Sequence, residues 1–166
     1  MSIAVITTGG TIDKVYYDAA SEFQVGDSLL PQILQEAGVE QVTSVTEALR
    51  KDSLEMTAAD RQHVLALVQA SSARQILITH GTDTMVDTAQ VLAAVADKTI
   101  VLTGAMRPAR MRDSDAAFNL GFALAAVQLL PAGVWIAMNG RCFPADEVRK
   151  NRAAHRFEAV SPPQTD

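Results

Sequence analysis

The amino-acid sequence predicts a doubly wound α/β domain: a Rossmann-like, three-layer arrangement with a mostly parallel sheet and helices on both faces. Five short runs rich in Val and Ile are the candidate strands, at residues 2–8, 39–45, 75–80, 98–104 and 133–140. The runs are nearly continuous in apolar residues, which is typical of parallel strands covered on both faces. Helical patterns separate them at intervals of about thirty residues, as expected of βαβ units.

Three segments between these strands carry helical signals. The first begins at Thr57, a good N-cap residue that is followed three positions later by Asp60, close to a capping box. The third covers residues 113–130 and stops at Pro131. The second starts at Thr84 and has an apolar stripe at the period of an amphipathic helix, formed by Met85, Ala89, Leu92 and Ala96.

Composition narrows the possible classes of function. The chain has 166 residues, 48% of them hydrophobic, which suits one well-filled domain over residues 1–166. The net charge of −5, with both signs interspersed, argues against a nucleic-acid partner. Cys142 is the single cysteine, which favours a reducing, cytoplasmic compartment. Neither a signal peptide nor a membrane-spanning run of ~20 apolar residues is evident, so no membrane partner is expected.

Polar, mostly glycine-containing segments follow all five candidate strands. They read TGGTID, KDSLEMT, HGTDTM, GAMRPARMRDSD and NGRCFPADEVRKN in chain order. Ligands of open parallel sheets bind beyond the carboxyl ends of the strands, which is the edge where all five segments lie. The sequence therefore predicts a functional site at this edge.

The first segment allows two interpretations when it is taken alone. Gly9 and Gly10 permit positive φ and a close backbone approach, so Thr11 is either a turn residue or a reactive hydroxyl. The pattern is neither a dinucleotide fingerprint nor a phosphate loop. Bare N–H groups around Gly9–Thr11 and near Thr82 are candidate donors to an oxyanion.

The other segments also have structural alternatives. Thr82, Asp83 or Thr84 could cap the helix that follows, or a carboxylate beside a hydroxyl could hold a polar ligand. His80 at a strand end is typical of a hydrogen-bonded structural residue, and an isolated Lys150 in a charged run is typical of a solvated side chain. Asp52, Ser53 and Glu55 precede a helix, and helix capping alone would account for them. His63 and His155 do not have the spacing of metal ligands relative to Cys142 or to each other, so no zinc site is expected.

The combination of these segments resembles the bacterial-type L-asparaginases. TTGGTID after the first strand and THGTDTM after the third match the two segments that carry the two active-site threonines of that family. The likeness continues in KDSLEMT, in VLTGAMRPA followed by SDAAFNL, and in NGR followed by DEVRKN. It covers residues 3 to about 158, and the pair of threonine motifs is far more specific than either motif alone.

The resemblance implies an amidohydrolase that converts L-asparagine to L-aspartate and ammonia without a cofactor or metal. It assigns Thr11 as the primary nucleophile and Thr82, Asp83 and Lys150 as a second triad. Positions implied to bind the substrate are Gly10, Asp52, Ser53 (α-carboxylate), Leu54, Thr82, Asp83 (α-amino group) and Ala105, with Glu55 also at the pocket. Lys150 can act as a base only if its surroundings keep part of its amine neutral. A covalent acyl-threonine and direct attack by water both remain open.

The chain departs from the family pattern in three ways. Most relatives are about twice as long, so the usual C-terminal domain is expected to be absent and other groups must complete the α-amino end of the pocket. Phe23 stands where the family has a mobile-loop tyrosine, and Tyr17, or else Tyr16, is the candidate for the hydroxyl that orients Thr11. Leu54 replaces a side chain that is polar in many relatives, which indicates looser substrate recognition.

Residues 13–26 show no clear periodicity, so neither helix nor strand is expected there. Their place directly after Thr11 favours a lid over an ordinary surface loop. Relatives are commonly oligomers, and we expect at least a homodimer with a small amino-acid substrate. The alternatives are hydrolysis of another amide, such as L-glutamine or a peptide amide, and an amino-acid-binding regulatory domain without turnover.

Overall fold

The protein forms ten strands and four helices in the computed structural model, which describes residues 2–160. The strands are β1 (Ile3–Gly9), β2 (Lys14–Tyr17), β3 (Glu22–Val25), β4 (Val42–Lys51), β5 (Gln75–Thr79), β6 (Thr99–Thr103), β7 (Gly133–Met138), β8 (Arg141–Pro144), β9 (Val148–Asn151) and β10 (Arg156–Ala159). The helices are α1 (Leu30–Glu36), α2 (Ala58–Ala70), α3 (Met85–Leu92) and α4 (Ala116–Leu129). None of the helices in this part of the chain is long and apolar enough to cross a bilayer.

Six strands form one sheet in the order β4-β1-β5-β6-β7-β8. All neighbours are parallel except β7 and β8, which form an antiparallel pair. The chain leaves β1 in one direction across the sheet to reach β4, and later passes β1 on the other side to form β5. This reversal makes the carboxyl ends of β1 and β5 the topological switch point, where open α/β sheets bind their ligands.

Each face of the sheet is covered by a separate apolar cluster. Ile76 and Ile78 of β5 pack with α2 and α3, whereas Leu77 between them packs with α1 and α4 on the opposite face. Successive side chains of a strand point to opposite faces, so a continuous apolar strand supplies both clusters. The predicted fold class, an α/β domain with helices on both faces of a mostly parallel sheet, is confirmed.

One crossover differs in handedness from the other three. Helices α2, α3 and α4 each precede a step in the same direction across the sheet, yet α4 lies on the face opposite to α2 and α3. Helix α1 shares the face of α4, but its crossover steps the opposite way. The β6–α4–β7 connection is therefore the odd one, and it is left-handed, since the ordinary crossover is right-handed. It carries the segment between β6 and α4 over the carboxyl edge, where the Ala109 N–H donates to the Ile12 carbonyl.

The five predicted strands and three predicted helices are all present, with differences at their ends. Thr57 forms the capping box with Asp60, as its spacing predicts. Helix α3 ends at Leu92, so the prediction that Ala96 continues its apolar stripe is wrong; the chain turns there and Val95 donates to the Leu92 carbonyl. Helix α1 and the antiparallel strands β8 to β10 were not predicted, because each is only four to seven residues long and has too few residues for a clear period.

The prediction that residues 13–26 contain no strand is also wrong. Thr11–Asp13 form a turn of 3₁₀ helix, and β2 and β3 then pair as an antiparallel hairpin. Tyr16 and Phe23 face each other across this hairpin with ring centroids 5.3 Å apart. Such cross-strand aromatic pairs stabilise short hairpins without an alternating apolar pattern, which is why periodicity did not reveal it. That the hairpin works as a lid stays a prediction.

A buried amide ties the segment between β6 and α4 to the sheet. Asn119 of α4 donates to the Gly104 carbonyl at 3.0 Å and to the Asp115 carboxylate at 2.9 Å, and it accepts from the Asn139 N–H at 3.0 Å. The side chain thereby satisfies polar groups at the ends of both β6 and β7. The segment between β6 and α4 can pass over the sheet edge because this amide makes the hydrogen bonds that those groups would otherwise make with water.

We expect Asn119→Ala to lower the free energy of unfolding by about 3 kcal/mol, because it leaves several buried polar groups without partners. Gln128→Ala on the same helix is the matched control, since Gln128 donates only to the Leu124 carbonyl of its own helix. Denaturant unfolding of both variants measures the difference. Equal destabilisation by the two substitutions would contradict the role of Asn119.

Candidate active site

Two glycines bring the two threonine segments together at the switch point. Gly10 has φ of 83°, and a Cβ atom placed on it would lie only 2.4 Å from the Cα of Gly81. A side chain at Gly10 would therefore push apart the segments that follow β1 and β5. Thr11 and Thr82 are the residues directly after these glycines, so the backbone contact places both hydroxyl-bearing residues at one point of the sheet edge.

Ser53 supports the same arrangement from below. A Cβ atom on Gly81 would lie 2.6 Å from the Ser53 Cβ, so the segment that follows β4 also packs against the Gly81 backbone. Thr84 reinforces the contact, since its hydroxyl donates to the Ser53 carbonyl at 2.8 Å and its N–H to the Ser53 hydroxyl at 3.3 Å. The start of α3 is therefore held by Ser53, directly after the buried Thr82 and the partly exposed Asp83.

Lys150 of β9 reaches the side chains of both Thr82 and Asp83. Its Nζ donates to Thr82 Oγ1 at 2.6 Å and to Asp83 Oδ1 at 2.7 Å. The lysine side chain is only 11% exposed, so the prediction from its sequence context alone, a solvated charge, does not describe it. Strand β9 is held in place by its pairing with β10 and by the buried side chains of Val148 and Phe157.

An open cavity of about 640 Å³ lies over this cluster. Thr11, Thr82, Asp83 and Lys150 all line it. The four residues to which the sequence assigns the chemistry thus come from three distant segments and share one solvent-filled space. Small-molecule pockets usually have volumes of about 300–1,000 Å³. The cavity falls within this range, so a small amino-acid amide fits in it.

The remaining predicted binding residues do not line this cavity. Gly10, Ser53 and Ala105 are buried beneath it. Leu54 is exposed at 61%. Asp52 caps the turn by accepting from the Leu54 N–H and is ion-paired with Lys14 at 2.8 Å. Burial disfavours the ionised form of Asp52, but Lys14 and the Leu54 N–H outweigh it and lower the pKa of its carboxyl. Glu55 faces a separate hollow beside the hairpin.

The hairpin brings Phe23, and not Tyr17, to a hollow beside Thr11. Phe23 and Lys14 line a second hollow of about 520 Å³ that they share with Thr11. Tyr17 pairs with Glu22, one position along from the Tyr16–Phe23 pair, so its side chain points to the other face of the hairpin. The assignment of Tyr17 as the group that orients Thr11 stays a prediction, and the structure does not bring the two residues together.

The two regions predicted to supply backbone donors, Gly9–Thr11 and the neighbourhood of Thr82, each contain an available N–H among the described residues. The Gly10 N–H is engaged, because it donates to the Lys51 carbonyl at 2.9 Å. Among residues 2–160, neither the Thr11 N–H nor the Thr82 N–H has a backbone or side-chain acceptor. These two groups follow the touching glycines and could donate to an oxyanion that forms between the threonines.

Four further residues line the cavity without having been predicted: Met106, Arg107, Arg152 and His155. Arg107 is positioned by Asp115, whose carboxylate accepts from the N–H groups of Met106 and Arg107 at 3.0 and 3.1 Å. Arg152 and His155 come from the turn between β9 and β10, and Arg152 Nε lies 3.6 Å from Asp83 Oδ1. A charged run in a sequence does not indicate which side chains point into a cavity. Only their closeness to Lys150 in the sequence could have indicated Arg152 and His155.

His80 has a structural role, which is the interpretation its place at a strand end favours. It is fully buried, with Nδ1 2.7 Å from the Gly81 carbonyl and Nε2 2.7 Å from the Thr88 hydroxyl. A carbonyl can only accept, so Nδ1 carries the proton and Nε2 accepts from Thr88. Burial lowers the pKa of His80 to about 4. The neutral ring thus fixes the Gly81 peptide, on which the glycine contact depends.

Asp13 is a buried acid two positions after Thr11 that no sequence pattern singled out. It lies at the base of the hairpin, where its carbonyl accepts from the Gly26 N–H at 2.8 Å. Burial raises the pKa of its carboxyl to about 6, and the Ser28 hydroxyl and the Arg110 guanidinium offset part of this rise. The carboxyl is therefore largely protonated in mildly acidic solution.

The model of the family described as "Asparaginase, N-terminal" matches residues 2–166. The chain belongs to the asparaginase family. It is 33% identical to a glutaminase-asparaginase of Acinetobacter glutaminasificans, over 96% of this chain and 53% of that protein. It is 29% identical to a glutamyl-tRNA(Gln) amidotransferase component of Methanococcus vannielii, over 84% of this chain and 34% of that protein.

Solved structures agree with the assignment to the asparaginase family. The thermostable L-asparaginase from Thermococcus kodakarensis superposes with a TM-score of 0.83 at 26% identity, over 98% of this chain and 52% of that one. The chain spans about half the length of the curated relatives it matches. The shared half includes every segment that contributes to the cavity.

We expect Gly10→Ala to lower the free energy of unfolding by about 3 kcal/mol, through left-handed backbone strain and overlap with Gly81. Gly121→Ala on α4 is the matched control, because no atom lies within 4 Å of its added Cβ. The control is expected to raise stability by about 0.5–1 kcal/mol, as alanine favours helix over glycine. Chemical denaturation compares them, and a Gly10→Ala protein as stable as the parent would refute the contact.

Asp13 also generates a pH dependence of known sign. Its folded pKa of about 6 exceeds the ordinary 3.8, so the native state holds an extra proton between these values and loses stability as the pH rises through them. Asp13→Asn removes this loss. The unfolding free energy of the variant relative to the parent should rise by about 2 kcal/mol from pH 4 to 6.5. Parallel stability curves for the two proteins over this range would show that Asp13 is ionised throughout.

Proposed function

We propose that this chain forms a hydrolase centre that releases ammonia from the side-chain amide of L-asparagine, with Thr11 as the nucleophile. The observation that carries the proposal is the contact of Lys150 with both Thr82 and Asp83, over the cavity that Thr11 also lines. A solvated lysine and two capping residues would have no reason to converge on one cavity with a second threonine. Membership of the asparaginase family supports the same reaction class.

The reaction begins with attack of the Thr11 hydroxyl oxygen on the amide carbon. A threonine hydroxyl needs a group that removes its proton as the bond forms. Lys150 and Thr82 are the groups that can accept and relay this proton, and Lys150 serves as a base when its amine is neutral. In the ammonium form Lys150 instead donates to Thr82 Oγ1 and Asp83 Oδ1, which lie 2.6 and 2.7 Å from its Nζ. Lys150 therefore changes between its neutral and ammonium forms as the proton is taken up and returned.

The tetrahedral intermediate carries its negative charge on the former carbonyl oxygen. The N–H groups of Thr11 and Thr82 are the donors proposed to stabilise it. Departure of ammonia requires a proton, which the protonated Lys150 can return. Water then cleaves the acyl-Thr11 ester and gives aspartate. Direct attack by a water molecule held between Thr11 and Thr82 uses the same groups, and both routes stay open.

L-glutamine is the second candidate substrate, because the Acinetobacter relative is named for both amides and the cavity volume accommodates one more methylene.

We also propose that the protein acts in the cytoplasm, as its single cysteine favours. Self-association as a homodimer or larger homo-oligomer is proposed from the large exposed side chains of Phe118 and Leu129 on α4. A native mass equal to that of one chain would refute the oligomer.

We expect Thr11→Ala and Thr82→Ala each to lower ammonia release from L-asparagine by about a thousandfold or more, because each removes a group that takes part in bond formation or proton transfer. Thr46→Ala on the exposed edge strand β4 is the matched control and should retain full activity. Ammonia release is measured for L-asparagine and L-glutamine with all proteins. Activity that survives Thr11→Ala would exclude Thr11 as the nucleophile.

A further inference from the structure

The cavity contains more positive charge than amide hydrolysis requires. Arg107 and Arg152 line it in addition to Lys150, and neither of the two has a part in the proposed proton transfers. The chain as a whole carries a net charge of −5, so the cationic cavity is not a consequence of a basic composition. A local excess of one sign in a concave site attracts ligands of the other sign.

The single carboxylate in the lining is already engaged. Within the described part of the chain, Asp83 is the one acid that lines the cavity. Its Oδ1 lies 2.7 Å from Lys150 Nζ and 3.6 Å from Arg152 Nε. The ammonium group of a free amino acid would compete with two cations for this oxygen. Recognition of a free α-amino group by Asp83 is therefore weakened by its neighbours.

The pairing of formal charges leaves one cation at the cavity in excess. Arg107 is ion-paired with Asp113 and Lys150 with Asp83. Among the described residues Arg152 has no carboxylate of its own, and its side chain, which lines the cavity, is 63% exposed. An arginine binds a carboxylate through two parallel hydrogen bonds, which makes it selective for a planar anion. The imidazole of His155 offers one more hydrogen-bonding group beside it.

The turn that carries Arg152 and His155 is held by its own hydrogen bonds. Asn151 accepts from the Ala154 N–H at 3.0 Å and donates to Glu158 at 3.1 Å. The His155 N–H donates to the Arg152 carbonyl, and His155 adopts φ of 49°. Phe157 buries the start of β10 in the core. Both side chains are thus presented from a fixed turn, which lowers the entropy lost on binding.

We propose that this site prefers monoamides of dicarboxylic acids that carry no free ammonium group, and that Arg152 with His155 binds their carboxylate. Succinamate, the desamino analogue of asparagine, is the smallest member of this class, and N-acetyl-L-asparagine is a larger one. The inference rests on the proposed amidohydrolase function and specifies its substrate class. The hydrolysis itself is unchanged: the C–N bond of the amide breaks, water supplies the hydroxyl, and ammonia leaves.

Steady-state ammonia release by the full chain tests the proposal with L-asparagine, succinamate and N-acetyl-L-asparagine. The parent protein should show kcat/KM for succinamate about tenfold or more above that for L-asparagine, because only L-asparagine brings an ammonium group beside the cations of the cavity. Arg152→Gln should remove this preference mainly through KM. Arg149→Gln is the matched control, since Arg149 lies on the adjoining strand β9, is exposed and pairs with Glu158 away from the cavity.

The outcomes separate this inference from the proposed function. Release of ammonia from L-asparagine but not from succinamate would overturn the preference and leave the amidohydrolase intact. An equal effect of Arg149→Gln and Arg152→Gln would overturn the assignment of Arg152. If no amide is hydrolysed, the proposed function fails, and calorimetric binding of succinamate that is lost in Arg152→Gln would still support the anion site, whereas no binding would refute it.

Discussion

The contact between Gly10 and Gly81 is the constraint that sets the geometry of the site. A parallel sheet brings the ends of β1 and β5 together only to the spacing of neighbouring strands, about 4.8 Å. Side-chain chemistry between the two segments requires that their backbones approach further without an intervening Cβ. The absence of both side chains allows this approach. Ser53 packs against Gly81, and the neutral His80 ring donates to the Gly81 carbonyl. The positions of Thr11 and Thr82 follow from that packing.

The site combines a rigid base with small, peripheral elements. The threonines follow central strands whose side chains are buried on both faces, so their backbone positions are well defined. Lys150 and the cations beside it come instead from the two-stranded β9–β10 ribbon, and Phe23 comes from the β2–β3 hairpin. Two-stranded ribbons are marginal alone and depend on what they pack against. The threonines and Lys150 are thus supplied by parts of the fold that differ in how much sheet surrounds them.

The charged side chains at the cavity are mostly compensated in individual ion pairs. Lys150 is compensated by Asp83 and Arg107 by Asp113, while Arg152 shares a carboxylate that is already paired. Two buried titratable side chains near the site are shifted towards their uncharged forms. His80 is held neutral by burial, and Asp13 is held largely protonated in weak acid for the same reason. The core beneath the site therefore contributes shape and hydrogen bonds, and the charges act at the cavity itself, where a substrate replaces water.

Local signals along the chain are enough to predict the fold class, the five parallel strands and the edge at which the polar segments meet, because each element carries its own apolar run or helix cap. Motif likeness added Thr11, Thr82, Asp83 and Lys150, all of which lie at the cavity. Only the folded chain shows that Ser53 and Ala105 lie beneath the cavity, that Phe23 faces Thr11 while Tyr17 points away, and that Arg152 and His155 turn inward. The hairpin, the left-handed crossover and these orientations depend on contacts between residues far apart in the chain, and neither periodicity nor spacing records such contacts.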